Sequence, residues 1–254
     1  MRSGWGAQSM KAVTKTGQDV VEASYKAADG SIVTGQWESL DAEAVAAGRP
    51  WRTFPWYLGQ KNYAGLYWCA TQNAHVGYES RLELSRLMLA DFDPTARKIV
   101  SQPFQLRGIV GGERIRRVPD YMVCTDSGPL VIDVKPARAL QEPDAAHLLD
   151  VTCHVIESRG WRYEIASEPA KVEFMNVRFL AGYRRASHFD ADVLAAVRSS
   201  LLRDDEARIG EIVESTTFPK HLALASLMHL LWRREFTFDI SRRLSSTTIV
   251  RAAS

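Results

Sequence analysis

The sequence predicts an α/β chain of the α+β kind. An αβββαβ core over 66–170 is followed by a winged helix-turn-helix domain over 171–254, and an N-terminal arm of irregular structure, 1–65, precedes both. Three observations predict it. An apolar stripe of helical period at 78–92 is followed by three β-rich runs separated by turn signals. A helical stretch, 139–158, then leads to a further strand pattern, so that three strands able to pair antiparallel join a fourth through a crossover. From about residue 172 the pattern changes to three helical stretches and a terminal hairpin.

Composition sets the bounds. The 254 residues make one large domain or two small ones, with the apolar and charged fractions of an ordinary globular protein. The net charge of +2 does not by itself demand a nucleic-acid partner, so the local distribution of charge carries that argument. No run of roughly 18 apolar residues exists and the start lacks a secretory apolar stretch, which predicts a cytoplasmic chain with no membrane partner. Cys69, Cys124 and Cys153 are odd in number and far apart, against a disulfide frame or zinc site and for a reducing compartment.

The elements follow in order. In the arm, "LDAEAVAAGRP" (40–50) predicts a short helix stopped by Gly48 and Pro50, and the aromatic-rich 50–68 an arm pinned to the body by its aromatics, with a substrate-facing loop as the alternative. "LYWCATQNAHV" is a strand candidate. "YESRLELSRLMLADF" predicts a helix, with Pro94 just past its end. "KIVSQPFQLRGIV" (98–110) predicts one strand, and "ERIRRVPDYMVCT" and "PLVIDVKPA" two more, joined by "DSG". A helix starting near Pro143 and ending at Gly160 leads to the strand "WRYEIAS". Beyond 172, helices are predicted at 190–202, 205–215 and 219–233, with Asp190 and Asp205 at helix starts and Pro219 in a first turn, before short strands in "EFTFDI" and "STTIVRA". The third of these helices is too apolar to read bases along its length and is expected to be mostly buried.

The hairpin raises a chemical question, because Asp120 and Asp133 each interrupt an apolar run. A two-residue turn at Asp126 and Ser127 pairs Thr125 with Gly128, and the same register sets Asp120 opposite Asp133, with Cβ atoms about 4.5–5.5 Å apart. Asp133 and Lys135 then share a face. Two such charges repel by roughly 3 kcal/mol at an effective dielectric of about 20. Lys135 offsets part of this, and a divalent cation held by carboxylate oxygens offsets more. Glu83, amid leucines in "RLELSRL", is the favoured third acid over Glu79, four residues earlier at the helix start, where the dipole already suits an acid. Mg²⁺, with Mn²⁺ as substitute, on Glu83, Asp120 and Asp133 makes a phosphoryl-transfer site, with Lys135 positioning water or stabilising developing charge. From spacing alone the alternative is a solvated charged face.

"PDY" followed thirteen residues later by "DVK" resembles the PD-(D/E)xK nuclease motif, and αβββαβ is the restriction-endonuclease-like core of that superfamily. "ESRLELSRLML", "SQPFQL", "VPDYMVCTDSGPLVIDVKPARAL" and "MHLLWRREFTFDI" further resemble the TnsA-type endonuclease subunit of heteromeric cut-and-paste transposons, over about 60–250. By position, that family's active site falls on Glu83, Asp120, Asp133 and Lys135. The resemblance implies a metal-dependent nuclease that nicks the 5′ strands at transposon ends. It also implies a DDE transposase partner that cuts the 3′ strands, and an AAA+ regulator that engages the complex. The alternatives are a stand-alone PD-(D/E)xK nuclease of restriction or repair type, and a catalytically inert DNA- or protein-binding adaptor.

Gln102 in "VSQPFQL" is an auxiliary candidate for placing metal-bound water or phosphate, beside the reading of an ordinary polar strand residue. Arg116 and Arg117, just before Asp120, and Arg242 and Arg243, at the tip of the predicted wing, are the candidates for contacts to double-stranded DNA. The histidines show no metal-ligand spacing.

Overall fold

The computed structural model of the chain describes residues 19–52, 63–201 and 206–253. The expected irregular arm is ordered over much of its length. β1 (Val20–Lys26) and β2 (Ile32–Gln36) form an antiparallel hairpin, with Gly30 at φ 93° in its turn. The signal is Asp29-Gly30 between alternating strand formers, a turn whose positive φ glycine accepts without a Cβ clash. The short helix is present as α1 (Ala42–Ala47), capped by Asp41 and ended at Gly48. The rest of the aromatic-rich stretch, 53–62, lies outside the described residues, as does 1–18.

β3 (Gly65–Cys69) and β4 (Ala74–Tyr78) make a second hairpin. α2 (Arg81–Phe92) follows, with Ser80 accepting the Glu83 N–H as its N-cap. The strand expected over 98–110 is two strands in two sheets. β5 (Ala96–Ser101) ends where Gln102 takes φ 45° and Pro103 offers no N–H, and β6 (Gln105–Val110) starts beyond the corner. The next expected strand is likewise split: β7 (Glu113–Arg117) and β8 (Tyr121–Thr125) flank Pro119. β9 (Gly128–Val134) completes the predicted hairpin in the predicted register, Thr125 opposite Gly128 and Tyr121 opposite Ile132. α3 (Pro143–Glu157) then returns the chain to β10 (Arg162–Ala166), parallel to β9.

Two four-stranded sheets result. β10-β9-β8-β5 is the mixed central sheet, and β2-β1-β6-β7 is wholly antiparallel. One apolar layer, with Trp37, Phe104, Leu106, Met122, Val131, Ile156 and Trp161, joins the inner face of the second sheet to one face of the first and to α3. The opposite face of the central sheet packs Ile99, Tyr121, Val123 and Ile132 against Leu87 and Ala90 of α2. The N-terminal hairpin is thus part of the body.

α4 (Lys171–Leu180) was not among the expected helices; it buries Val177 and Leu180. Then come α5 (Ala191–Leu201), β11 (Glu206–Arg208), α6 (Ile209–Ser215), α7 (Lys220–Trp232), β12 (Phe236–Phe238) and β13 (Ile249–Ala252). Asp205, expected at a helix start, lies outside the described residues; β11 precedes α6, whose N-cap is Arg208. The strands form an antiparallel sheet ordered β11-β13-β12. As expected, α7 is mostly buried, with every residue from Ser226 to Trp232 inside. The class is α+β, and no helix among the described residues is long and apolar enough to cross a membrane.

Candidate active site

One end of the central sheet gathers the acids named from the sequence. Asp120 immediately precedes β8, Asp133 lies one residue from the end of β9, Lys135 follows it, and Glu83 comes from the first turn of α2. Three separate backbone bonds hold Asp120 in place. Its N–H donates to Ile132 O at 3.1 Å, its carbonyl accepts from Gln102 N–H at 2.8 Å, and its Oδ2 accepts from Val134 N–H at 2.7 Å. Lys135 Nζ stands 3.7 Å from the same Oδ2. Burial raises the Asp120 carboxyl above its ordinary value; Lys135 pulls it back and Asp133 pushes it further up.

Glu83 is raised to about 7, first by burial, with Asp120 adding repulsion and the Glu79 N–H opposing. That N–H donates to Glu83 Oε2 at 2.8 Å, so Glu83 also closes a capping arrangement with Ser80 at the start of α2. Glu79 lies ahead of the helix and Glu83 is the acid in its first turn, the reverse of the dipole assignment expected.

Asp133 is fully buried and takes a different environment from Asp120. Arg117 Nη2 donates to its Oδ1 at 2.7 Å and Tyr163 Oη to its Oδ2 at 2.5 Å. Burial, and then the Asp133 charge, push the Tyr163 phenol well up, so it stays a proton donor. Arg117, expected on DNA, is turned inward because it pairs with Leu106 on the buried face of β7, while Arg116 pairs with Arg107 on the exposed face. Sequence reasoning missed Tyr163, since its place beside Asp133 depends on the parallel register of β9 and β10, which no local pattern encodes.

Gln102 is placed as an architectural residue. Its Oε1 accepts from Arg52 N–H at 3.1 Å and its carbonyl from Trp51 N–H at 2.9 Å, so it fastens the end of the arm across the β5–β6 corner. Arg242 and Arg243 are exposed on the connection between β12 and β13, with Arg242 Nε 3.3 Å from Asp239.

Among the described residues no group of three His, Cys, Asp or Glu side chains forms a ready-made metal cage. Glu83 and Asp120 nevertheless suit a hard cation. Both are oxygen donors, and burial disfavours the charge of each unless a cation offsets it. Asp133 already has one partner on each oxygen.

In comparison with known proteins, no family model matches this chain, and no curated protein is significantly similar to it.

Proposed function

We propose that the chain is a metal-dependent DNA endonuclease subunit of the TnsA type, hydrolysing phosphodiester bonds on the 5′ strands at transposon ends beside a DDE transposase, with an AAA+ regulator as a further partner. One observation carries the reading. Glu83 on α2, Asp120 just before β8 and Lys135 just after β9 meet at one end of a sheet ordered β10-β9-β8-β5, which with α2 and α3 gives the chain order α2, β5, β8, β9, α3, β10 once β6 and β7, which belong to the other sheet, are set aside. Glu83 and Asp120 would hold Mg²⁺, or Mn²⁺ in its place, with Asp133 as the third carboxylate. Such an ion, when bound, would supply Lewis acidity toward phosphate oxygens and a more acidic water. Lys135, a point charge beside Asp120, orients the attacking water and offsets the negative charge that grows on phosphate oxygens as the P–O bond breaks.

We further read 171–254 as a winged helix-turn-helix domain. The succession α5, β11, α6, α7, β12, β13 with strand order β11-β13-β12 supports this, and Arg242 and Arg243 then sit on the wing. With α7 buried, the domain grips the DNA backbone or a protein partner.

The test is strand-resolved cleavage of an end-containing duplex with Mg²⁺, with and without the partner transposase. Loss of 5′-strand nicking in Asp120→Asn and Lys135→Met, with wild-type nicking intact, supports the reading. A wild type inactive under every combination overturns it. The buried Arg117–Asp133 pair favours one second reading, an inert adaptor that binds DNA on a nuclease-like frame. That reading gains if end binding persists without any nicking.

A further inference from the structure

Beside the acids lies a cavity that the function above leaves unused. Its volume is about 430 Å³, and it is lined by Trp51, Arg52, Gln105, Arg116, Arg117 and Val118. The Trp51–Arg52 segment is fixed over the β5–β6 corner by its two bonds to Gln102. Three arginines are among the lining residues, and among the described residues no acidic side chain is. Gln105 is 4% exposed, and its Oε1 has no hydrogen-bond partner among the described residues. Arg117 Nε is likewise buried without one. A buried donor left unpaired costs about 1–3 kcal/mol, so Arg117 Nε calls for an acceptor such as a phosphate oxygen, whereas Gln105 Oε1, itself an acceptor, would need a donor from elsewhere.

Arg117 faces two ways. Its Nη2 holds Asp133, and its side chain also forms part of the cavity wall. We infer that the cavity binds a backbone phosphate of the DNA next to the cut, and that this phosphate draws Arg117 off Asp133, releasing the carboxylate for the metal. The inference rests on the nuclease reading above. A phosphate suits the wall because guanidinium groups bind its oxygens by paired, charge-assisted hydrogen bonds. Without DNA, Arg117 neutralises Asp133 and little drives a cation to that carboxylate. With phosphate in the cavity, Arg117 has a second anion to serve, Asp133 is left under-compensated, and a cation restores the balance. DNA and metal then promote each other's binding, by the same factor in each direction.

The test uses the full chain, the dinucleotide d(TpT) as a phosphodiester probe and Ca²⁺ as a cation. First, in metal-free protein, d(TpT) should shift the Arg117 side-chain Nε–Hε resonance, and Arg52→Ala and Arg116→Ala should each weaken d(TpT) binding. Second, saturating d(TpT) should tighten Ca²⁺ binding by on the order of fivefold or more, and the two variants should lose that gain. Ca²⁺ and d(TpT) that bind independently overturn the inference and leave the nuclease reading standing. So does d(TpT) binding that ignores both variants. An Arg117 resonance that moves as expected while Ca²⁺ binds under no condition overturns the nuclease reading and the release of Asp133 to metal, and keeps the phosphate site.

Discussion

Asp120 and Asp133 each adjoin one member of the last β8–β9 ladder pair, Tyr121 and Ile132, yet differ in circumstance, and substitutions should separate them. Asp133 is the partner of a mostly buried guanidinium, so Asp133→Asn leaves Arg117 uncompensated and should cost about 3–5 kcal/mol of stability, read from denaturant melts. Asp120 has its charge disfavoured by burial, and an asparagine oxygen still accepts the Val134 N–H. Asp120→Asn should therefore raise the melting temperature in chelator while abolishing cleavage; a lower melting temperature would make the carboxylate structural. Glu83 adds a pH signature. Its folded value, about 7, lies above the ordinary 4.5, so its contribution is complete below pH 4.5 and is lost as pH rises to 7. The loss is at most ~3 kcal/mol. In chelator, wild-type stability should fall across that window and Glu83→Gln should be flatter. Another buried acid, Asp91, was invisible in the sequence. It takes hydrogen bonds from Tyr67 Oη, Cys69 Sγ, the Ala70 and Thr71 N–H groups and Thr71 Oγ1, and so pins the β3–β4 turn to α2.

At the scale of elements, what was legible was local. The β8–β9 register followed from one turn, α2 from its apolar stripe and Pro94 past its end, and α3 and α7 from helical stretches with Pro143 and Pro219 at their starts. The failures are where local pattern and tertiary demand part. The runs 98–110 and 113–125 are continuous in strand propensity, and each is cut because its halves serve different sheets, at Gln102-Pro103 and at Pro119. The acids at the site were legible because they break apolar runs; the Arg117 and Tyr163 partners of Asp133 were not, because they arrive from β7 and β10. The β1–β6 pairing carries its own requirement. A Cβ on Gly108 would stand 2.1 Å from Val20 O and 2.8 Å from Val21 Cα, backbone atoms that cannot turn aside. Gly108→Ala should cost about 1–3 kcal/mol or more, and hydrogen exchange should show the Val21–Ser24 amides losing protection first. Unchanged protection there would mean that β1 shifts freely along β6.

For the whole molecule, α2 is the shared beam. Its Leu87 and Ala90 pack under the central sheet, while Phe92 lies in the C-terminal cluster, its ring 5.3 Å from that of Trp232. A fragment ending near Ala170 would strip Phe92 of those partners. Phe92→Ala should cost about 3–5 kcal/mol and lower the unfolding of both regions together in one transition; two separate transitions would show that each buries an interior of its own. The N-terminal hairpin is bound still more remotely. Trp37 Nε1 donates to Val155 O, 118 residues away, and Arg159 donates to the carbonyls of Trp37 and Leu40. On the ribosome this order has a price in time. β1 leaves the exit tunnel some 80 residues before the β6 strand it pairs with, a wait of several seconds at about 5–20 residues per second. Throughout that wait Val21, Ala23 and Trp37 stay uncovered, and of the described strands β1 waits longest for a partner.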